Sequence, residues 1–302
     1  MEILRTPDNR IENLPDYPFK PHYLTINDRT EDVEIRVHYI DEGDSGSQTV
    51  LMLHGEPSWS FLYRKTVTPF VQAGYRVVAP DLPGFGKSDK PGKRTDYSYA
   101  RHVQWMQDWL RAMDLQDILL ICQDWGGLIG LRLVAAEPHR FARVVTTNTM
   151  LPTGDHPAGD AFMKWQKFSQ EVPFFPAGQI VNKAVVTPLP EEVIAAYDAP
   201  FPDESFKEGA RQFPTLVPTR PDDPESQANR DAWKVLMGYE KPWLCAFGDS
   251  DPITGAAAPV IQKLIPGCQD QPHTTLHGGG HFIQEDCGEE LSRVVLEWLQ
   301  DR

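Results

Sequence analysis

The sequence predicts an α/β fold in which helices flank a mostly parallel β-sheet and a helical cap is inserted into the chain. Two observations lead to this prediction. Short apolar runs alternate with helical patterns along most of the chain, and the alternation breaks between residues 150 and 229. A strand, a helix and a second strand in this order form a right-handed crossover, which makes the two strands parallel.

Six stretches have the patterns of β-strands. Residues 33–41, VEIRVHYID, alternate apolar and polar side chains, which predicts a strand. The other five stretches are short apolar runs, as expected for strands that helices cover on both faces. They comprise residues 49–55, 75–81, 117–124, 142–150 and 242–249.

Helical patterns occupy the stretches between and after these strands. The spacing of apolar residues predicts helices over residues 98–113 and 126–138, and Pro138 closes the second of them. A further helix is predicted over residues 289–300, near the end of the chain. These helices supply the crossovers that a mostly parallel sheet requires.

The insertion has a different composition from the rest of the chain. It contains short helical stretches, such as AFMKWQKFSQ and LPEEVIAAYDA, which are separated by proline-rich segments. We therefore predict a core domain formed by residues 1–149 and 230–302, and a helical cap, or lid, formed by residues 150–229. The cap is expected to cover the sheet.

Composition and charge exclude several classes of partner. The formal net charge is −14 and the pI is about 5.0, and no basic run is interleaved with aromatic residues. This argues against nucleic acid and anionic membranes as partners. No stretch approaches the roughly 20 apolar residues that span a bilayer, and the first residues lack the apolar segment of a signal peptide. We expect a cytoplasmic protein that handles small molecules.

The four cysteines are expected to be reduced thiols in the core. They are scattered without a CxxC pair, and two of them lie in apolar runs that are predicted to be strands. Reduced buried thiols fit this pattern better than a disulfide framework does. The four residues are Cys122, Cys245, Cys268 and Cys287.

A carboxylate lies at a predicted turn from a strand to a helix, in ILLICQDWGGLIG. Asp124 follows the predicted strand, and the small residues Cys122, Gly126 and Gly127 around it permit a tight turn. The same arrangement surrounds the serine of the G-x-S-x-G nucleophile elbow. Aspartate is also a favoured helix N-cap, so taken alone Asp124 is as consistent with a cap as with a nucleophile.

The later sequence supplies the partners that an elbow nucleophile requires. In this architecture an acid and then a histidine follow the nucleophile in the chain. FGDSDPITG contains Asp249 and Asp251 after an apolar strand, and LHGGGHFIQED contains His281 before a helix. Of the two acids, Asp251 is the predicted partner of the histidine, and Asp249 is expected to hydrogen-bond the turn.

An upstream loop can donate hydrogen bonds to the same carboxylate. In LMLHGEPSWSF, which follows another apolar strand, the backbone N–H of Glu56 can turn towards Asp124 beside the backbone N–H of Trp125. Such donors hold a carboxylate oxygen in place and stabilise a developing oxyanion. The side chain of Glu56 either orders a water molecule or stabilises its own loop.

Five motifs, in this order and around a proline-rich lid, resemble those of haloalkane dehalogenases of the α/β-hydrolase fold: HGEPSWS, DLPGFGKSD, QDWGG, FGDSDP and GGGHFIQE. The resemblance covers the chain from about residue 30 to the end. It implies that Asp124 is the nucleophile, His281 the base and Asp251 the acid. It also implies that Trp125 and Trp165 bind the halide.

The chemistry of a haloalkane explains an aspartate at the elbow. The carbon that carries the halogen is saturated, so the reaction is an in-line displacement, for which a carboxylate is already ionised at neutral pH. The product is an ester that water can open, whereas a serine would give a stable ether. We expect a short haloalkane to give alcohol, halide and a proton, in a monomer that uses no cofactor and no metal.

The leaving halide requires donors in an otherwise apolar pocket. Indole N–H groups are neutral and suit such a pocket better than a lysine. Trp125 is adjacent to the nucleophile, and Trp165 is the only tryptophan of the lid. Trp165 could instead only pack a lid helix. Four phenylalanines are expected to line the slot for the substrate: Phe162, Phe168, Phe174 and Phe175.

Three alternative interpretations of these residues fit the sequence less well. An epoxide hydrolase would use the same nucleophile and base, but it usually needs two lid tyrosines, and this lid contains only Tyr197. A catalytically inactive hydrolase fold could serve as a scaffold, yet all members of the predicted triad are present. A metal site at His273, His277 and His281 would require a helix, which the three intervening glycines prevent.

Asn148, at the end of its predicted strand, could contact the active site. Alternatively, its buried side chain could hold in place the loop that leads into the lid.

Overall fold

A central β-sheet organises the computed structural model, which describes residues 1–300. Two short strands, β1 and β6, pair with each other away from this sheet. The strands are β1 (Ile3–Leu4), β2 (His22–Asp28), β3 (Val33–Glu42), β4 (Thr49–Leu53), β5 (Arg76–Pro80), β6 (Lys90–Pro91), β7 (Ile118–Gln123), β8 (Phe141–Thr147), β9 (Trp243–Gly248) and β10 (Thr274–Leu276).

The central sheet has eight strands in the order β10-β9-β8-β7-β4-β5-β3-β2. Strand β3 pairs antiparallel with β2 and with β5, and the remaining neighbours are parallel. Every residue of β4, β7 and β9 is buried, because helices cover both faces of this part of the sheet. The predicted mostly parallel sheet is confirmed, with β2 and β10 as additional strands.

The described residues also form ten α-helices. The predicted helix at 289–300 begins earlier, at Ile283, and continues through a kink at Cys287. The helices are α1 (Arg64–Gln72), α2 (Tyr99–Ala112), α3 (Trp125–Ala136), α4 (Asp160–Glu171), α5 (Ala177–Lys183), α6 (Glu191–Asp198), α7 (Glu208–Leu216), α8 (Ser226–Leu236), α9 (Ala258–Leu264) and α10 (Ile283–Gln300).

Short 3₁₀ helices occur in six connections. The one that follows β4 is fully buried and leads directly into α1. The segments are Asp8–Arg10, Ser60–Tyr63, Arg94–Asp96, Glu204–Lys207, Gly255–Ala257 and Pro266–Cys268.

Short helices follow β8 where the sequence predicts the cap. Helices α4 to α7 lie between β8 and β9 in the chain, α4 packs on α7, and α5 packs on α6. Helix α8 crosses the predicted boundary at residues 229 and 230, and it packs on α3 of the core. The division into a core and a lid at residues 150–229 stays a prediction.

The four cysteines are free and buried, as the sequence predicts. No helix within residues 1–300 has the length and apolar character needed to cross a membrane.

A buried polar network joins α6 to α1 and α10. Arg64 of α1 donates two hydrogen bonds to the carboxylate of Glu285 in α10, at 2.5 and 2.8 Å. The hydroxyl of Tyr197, in α6, donates to the same carboxylate. All three side chains are buried. Because a buried charge without its partner is costly, this network should hold α6 against α1 and α10.

Replacing Glu285 with glutamine should destabilise the fold, because the Arg64 charge would lose its buried partner. We expect a loss of about 3–5 kcal/mol in the free energy of unfolding, which urea denaturation measures. Glu297→Gln is the matched control, since Glu297 lies on the same helix in an exposed pair with Arg293. Equal urea midpoints for the two variants would contradict this role of Glu285.

Candidate active site

Asp124 occupies a tight turn between β7 and α3. Its backbone has φ 49° and ψ −125°, a conformation that residues other than glycine rarely adopt. The backbone N–H donates to the carbonyl of Asn148 at 3.0 Å, and the carbonyl accepts from the hydroxyl of Thr149 at 2.7 Å. Although Asp124 directly precedes the helix, its side chain makes no capping hydrogen bond. The alternative of a simple helix cap is therefore wrong.

Two glycines allow the elbow to approach its neighbours. A Cβ atom on Gly126 would overlap the backbone carbonyl of Leu53 at the end of β4. A Cβ atom on Gly127 would overlap the side chain of Thr149. The Gly126–Gly127 pair is therefore needed for α3 to start directly against the sheet, which orients the Asp124 carboxylate into a cavity.

The carboxylate of Asp124 lies close to two of its predicted partners. The backbone N–H of Glu56 donates to Oδ1 at 2.8 Å. The Nε2 atom of His281 lies 3.4 Å from Oδ2. The N–H of Trp125, the first residue of α3, makes no hydrogen bond to another group of residues 1–300. One carboxylate oxygen is thus held by a backbone donor, and the other faces the imidazole.

His281 also contacts the predicted acid. Its Nδ1 lies 2.9 Å from Oδ2 of Asp251. The backbone that carries the ring is also held in place, because the His281 N–H donates to the carbonyl of Ala184 at 2.8 Å. The side chain of Gln123 donates to the His281 carbonyl at 3.0 Å. The imidazole is therefore placed between two carboxylates.

Two residues besides His281 hold the acid by their side chains. The side chain of Asn148 donates to Oδ2 of Asp251 at 3.1 Å and to the carbonyl of Gly280 at 2.9 Å. The hydroxyl of Thr254 also donates to Oδ2. Asn148 thus ties the acid to the loop that carries the histidine. Thr254 was not predicted, although its place three residues after an aspartate is typical of local side-chain hydrogen bonds.

The other acid and the other histidines lie elsewhere. Asp249 accepts from the backbone N–H of Gly278 at 2.9 Å and lies 2.8 Å from Nδ1 of His277, which is exposed. His273 accepts from the backbone N–H of Cys245. Since His273, His277 and His281 have three separate sets of partners, they do not converge on one point. Asp249 also accepts from the hydroxyl of Ser250 in its own turn at 3.0 Å, in agreement with the sequence prediction.

Opposing effects set the pKa values of His281 and Asp251. Burial lowers the pKa of His281, but the charges of Asp251 and Asp124 raise it to about 10. Burial raises the pKa of the Asp251 carboxyl, yet the imidazole and the surrounding donors bring it well below its usual range. At neutral pH the imidazole is therefore protonated between two carboxylates.

Glu56 has a different environment from the two acids. Its side chain is buried, and Oε1 has no hydrogen-bond partner among residues 1–300. Burial and the neighbouring charge of Asp124 raise the pKa of Glu56 well above its ordinary value. The Glu56 side chain also lines the cavity. A carboxyl in this position is held in the neutral form more readily than that of Asp251.

A cavity of about 980 Å³ opens in front of Asp124. Trp125, Trp165, Phe162 and Phe168 line it together with His281 and Glu56. Its remaining lining is largely apolar and comes mostly from residues 150–218 and from α8 and α9. The predicted nucleophile, base and halide donors therefore share one cavity.

Two of the four predicted pocket phenylalanines lie outside this cavity. The side chain of Phe174 is 75% exposed, and Phe175 is fully buried against Trp165 and beneath the guanidinium of Arg211. Neither lines the cavity. They precede α5 in an irregular segment, where no helical periodicity fixes the direction of a side chain. The predicted substrate slot is thus corrected to Phe162 and Phe168.

The eight tryptophans differ in whether the indole N–H has an acceptor in the protein. Five of the eight tryptophans donate to protein acceptors, and Trp109 Nε1 is buried without a partner. Within residues 1–300, the Nε1 atoms of Trp125 and Trp165 have no acceptor, and both side chains line the cavity. These two indoles can therefore donate to a bound anion.

Tyr197 lies outside the cavity. Its hydroxyl donates to Glu285 in the buried network described above. No tyrosine within the described part of the chain lines the cavity. An epoxide hydrolase that protonates an alkoxide with a phenol has no such donor here, so the observed site disfavours this alternative.

Comparisons with known proteins agree with the geometry. A family model described as alpha/beta hydrolase fold matches residues 48–286. The chain is 59% identical over 301 residues to a haloalkane dehalogenase of Psychrobacter cryohalolentis, covering 100% of this chain and 99% of the relative. It is 50% identical over 300 residues to a haloalkane dehalogenase of Mycolicibacterium paratuberculosis, with 99% of each chain covered.

A solved structure is similar over nearly the whole chain. The tetrameric structure of haloalkane dehalogenase DpaA from Paraglaciecola agarilytica NO2 has a TM-score of 0.90 and 35% sequence identity, and 97% of each chain is covered. This agreement in sequence and in structure extends over the core, the elbow and the inserted helices. The chain therefore belongs to the haloalkane dehalogenase family of the alpha/beta hydrolase fold.

Proposed function

We propose that this protein hydrolyses carbon–halogen bonds of haloalkanes to an alcohol, a halide and a proton, through an ester at Asp124. One observation carries the proposal. The carboxylate of Asp124, which makes no capping hydrogen bond, lies 3.4 Å from the imidazole of His281. Both line a cavity in which two indole N–H groups have no acceptor among residues 1–300. Names of relatives that are 47–59% identical over almost the full chain support the same reaction.

The first step is a displacement at saturated carbon. Oδ1 of Asp124 is held by the Glu56 N–H, so Oδ2 is the oxygen that attacks. As the new C–O bond forms, the carbon–halogen bond breaks on the opposite side, and Trp125 and Trp165 donate to the leaving halide. The ionised carboxylate needs no base for this step. Charge moves from Asp124 to the halide, where the indole donors stabilise it.

The second step returns the aspartate. Once alkylation has removed the charge of Asp124, His281 releases its proton to solvent and becomes neutral. Water then attacks the ester carbonyl of Asp124 and gives a proton to His281, with Asp251 orienting the imidazole and stabilising its charged form. As the bond between Cγ and Oδ2 of Asp124 breaks, the alcohol leaves with one proton of the water, and the other returns His281 to its charged form. The negative charge that develops on Oδ1 is stabilised by the backbone N–H groups of Glu56 and Trp125. These residues complete hydrolysis without a metal or an organic cofactor.

Finer properties stay proposals. We propose that the substrate is a small haloalkane and that the cavity residues Phe162 and Phe168 contact its carbon chain. We also propose residues 150–229 as the lid, a monomer in solution, and a cytoplasmic location. The relative from P. agarilytica is tetrameric, so the monomer is a prediction for this chain alone.

Replacing His281 with glutamine should separate the two steps. The unmodified protein should release bromide continuously from 1,2-dibromoethane or 1-bromobutane. His281→Gln should release one bromide per chain, because alkylation continues and hydrolysis loses its base. Mass spectrometry should find the alkyl group on Asp124. The exposed His277→Gln is the control and should turn over normally. Steady bromide release by His281→Gln would contradict the role of the base.

Removing one indole donor should weaken halide binding. For Trp125→Phe and Trp165→Phe we expect the bromide dissociation constant to rise roughly ten- to a hundredfold, since each loses a hydrogen bond to a charged group. Quenching of the remaining tryptophan fluorescence by bromide measures this constant. Trp233→Phe is the matched control, because Trp233 lines the cavity but donates to the carbonyl of Leu151 at 2.8 Å. Equal constants for all three variants would place the halide elsewhere.

Alkylation should lower the pKa of His281. In the free protein, the charges of Asp251 and Asp124 raise this pKa to about 10 against the effect of burial, but an ester at Asp124 carries no charge. His281 acts as a base only when neutral, so hydrolysis should accelerate as the pH rises through the lower pKa of the alkylated form. Single-turnover rates give that value, and nitrogen-15 NMR of His281 gives the free value. Identical values would refute this coupling.

A further inference from the structure

The cavity is larger than a short haloalkane requires. Its volume of about 980 Å³ lies at the upper end of the roughly 300–1,000 Å³ that is typical of sites for drug-sized ligands. A two- to four-carbon haloalkane would contact the elbow and the indoles and leave most of this space unfilled. The volume therefore allows a substrate with a long carbon chain.

The outer part of the cavity has exposed apolar side chains. Among the nine large apolar residues of the described chain that are exposed, five line this one cavity. Contiguous exposed apolar surface is typical of ligand-binding grooves. We call these five residues the apolar rim: Met150, Phe168, Met237, Val260 and Leu264.

Two lysines without a carboxylate partner in the described part of the chain also line the cavity. Of the four lysine and arginine side chains among residues 1–300 that line the cavity, Arg230 pairs with Asp155 and Lys234 pairs with Asp231. Lys164 of α4 and Lys183 at the end of α5 are exposed and have no carboxylate within 4.0 Å among residues 1–300. In a protein of net charge −14, the cavity thus presents unpaired positive charge at its solvent side.

The acidic residues of the lining do not neutralise these lysines. Among residues 1–300, three acidic side chains line the cavity. Asp124 faces His281, Asp155 pairs with Arg230, and Glu56 is buried beside the nucleophile. The lining therefore combines three features: indole N–H groups without an acceptor, largely apolar walls, and two ammonium groups without a carboxylate partner among residues 1–300.

We propose that the preferred substrates of this site are ω-haloalkanoates, which carry the halogen at one end of an apolar chain and a carboxylate at the other. The halogenated carbon would lie at Asp124, the chain along the apolar rim, and the carboxylate at Lys164 and Lys183. The products are the ω-hydroxyalkanoate, halide and a proton, by the two steps given above. This inference rests on the proposed dehalogenation and specifies its substrate class.

Paired substrates of equal chain length test the proposal. Bromide release is measured with 6-bromohexanoate, 8-bromooctanoate and 11-bromoundecanoate, and with the corresponding bromoalcohols, whose distal group has no charge. The quantity compared is the ratio of kcat/KM for the carboxylate to kcat/KM for the alcohol. We expect this ratio to exceed one for at least one chain length.

Variants of the two lysines identify the cause of the preference. In Lys164→Gln/Lys183→Gln the ratio should fall by roughly two- to tenfold, as expected for one or two partly exposed ion pairs. The matched control is Lys167→Gln, since Lys167 lies on the same helix but outside the cavity lining and near Glu171. Its ratio should equal that of the unmodified protein.

Each other outcome is decisive. Turnover of bromoalcohols with ratios at or below one for every chain length would overturn the substrate class and leave the dehalogenase function intact. A ratio above one that the double variant leaves unchanged, including an equal loss of kcat/KM for carboxylates and alcohols, would show that the lysines do not bind the distal carboxylate, which also overturns the proposal. Absence of bromide release from all substrates would instead refute the proposed function itself.

Discussion

The backbone conformation of Asp124 is the constraint on which the site depends. With φ at 49°, the carbonyl rather than the side chain accepts the first hydrogen bonds of α3. The carboxylate is thereby free to enter the cavity, where a backbone N–H holds one oxygen and leaves the other to react. Close packing of Gly126 against Leu53 maintains this geometry. Strain of this kind is tolerated where the surrounding structure determines the conformation and function requires it.

The charges around His281 follow the two steps of the reaction. Before alkylation, the imidazole lies between two carboxylates and carries a proton. In the proposed mechanism, alkylation removes the charge of Asp124, so the imidazolium releases its proton to solvent and Asp251 is its remaining partner. Asn148 and Thr254 both donate to that acid, so its position does not depend on the state of the nucleophile. The same histidine can therefore accompany an ionised nucleophile in one step and accept a proton in the next.

The sequence predicts the parts of this molecule that depend on local patterns. The apolar runs locate β4, β7 and β9, and the order of Asp124, Asp251 and His281 predicts the three side chains that the structure brings together. Elements that depend on tertiary contacts were missed. Strand β10 has only three residues at the sheet edge, and α1 contains an internal proline that hides its helical pattern.

Side-chain directions in irregular segments could not be predicted either. Phe174 and Phe175 are adjacent in sequence, yet one is exposed and the other is buried, and neither lines the cavity. Tyr197 is fixed by Glu285, which lies far away in the chain. Composition and spacing carry no information about such long-range partners.

The origin of the oxygen atom in the product tests the central claim most directly. A single turnover in water enriched in oxygen-18, with the protein in excess over the substrate, should give an alcohol that contains ordinary oxygen from Asp124. The heavy isotope should appear in the carboxylate of Asp124, because water attacks the ester carbonyl. An alcohol that carries oxygen-18 after this first turnover, with an unlabelled Asp124, would show direct attack by water and contradict the account.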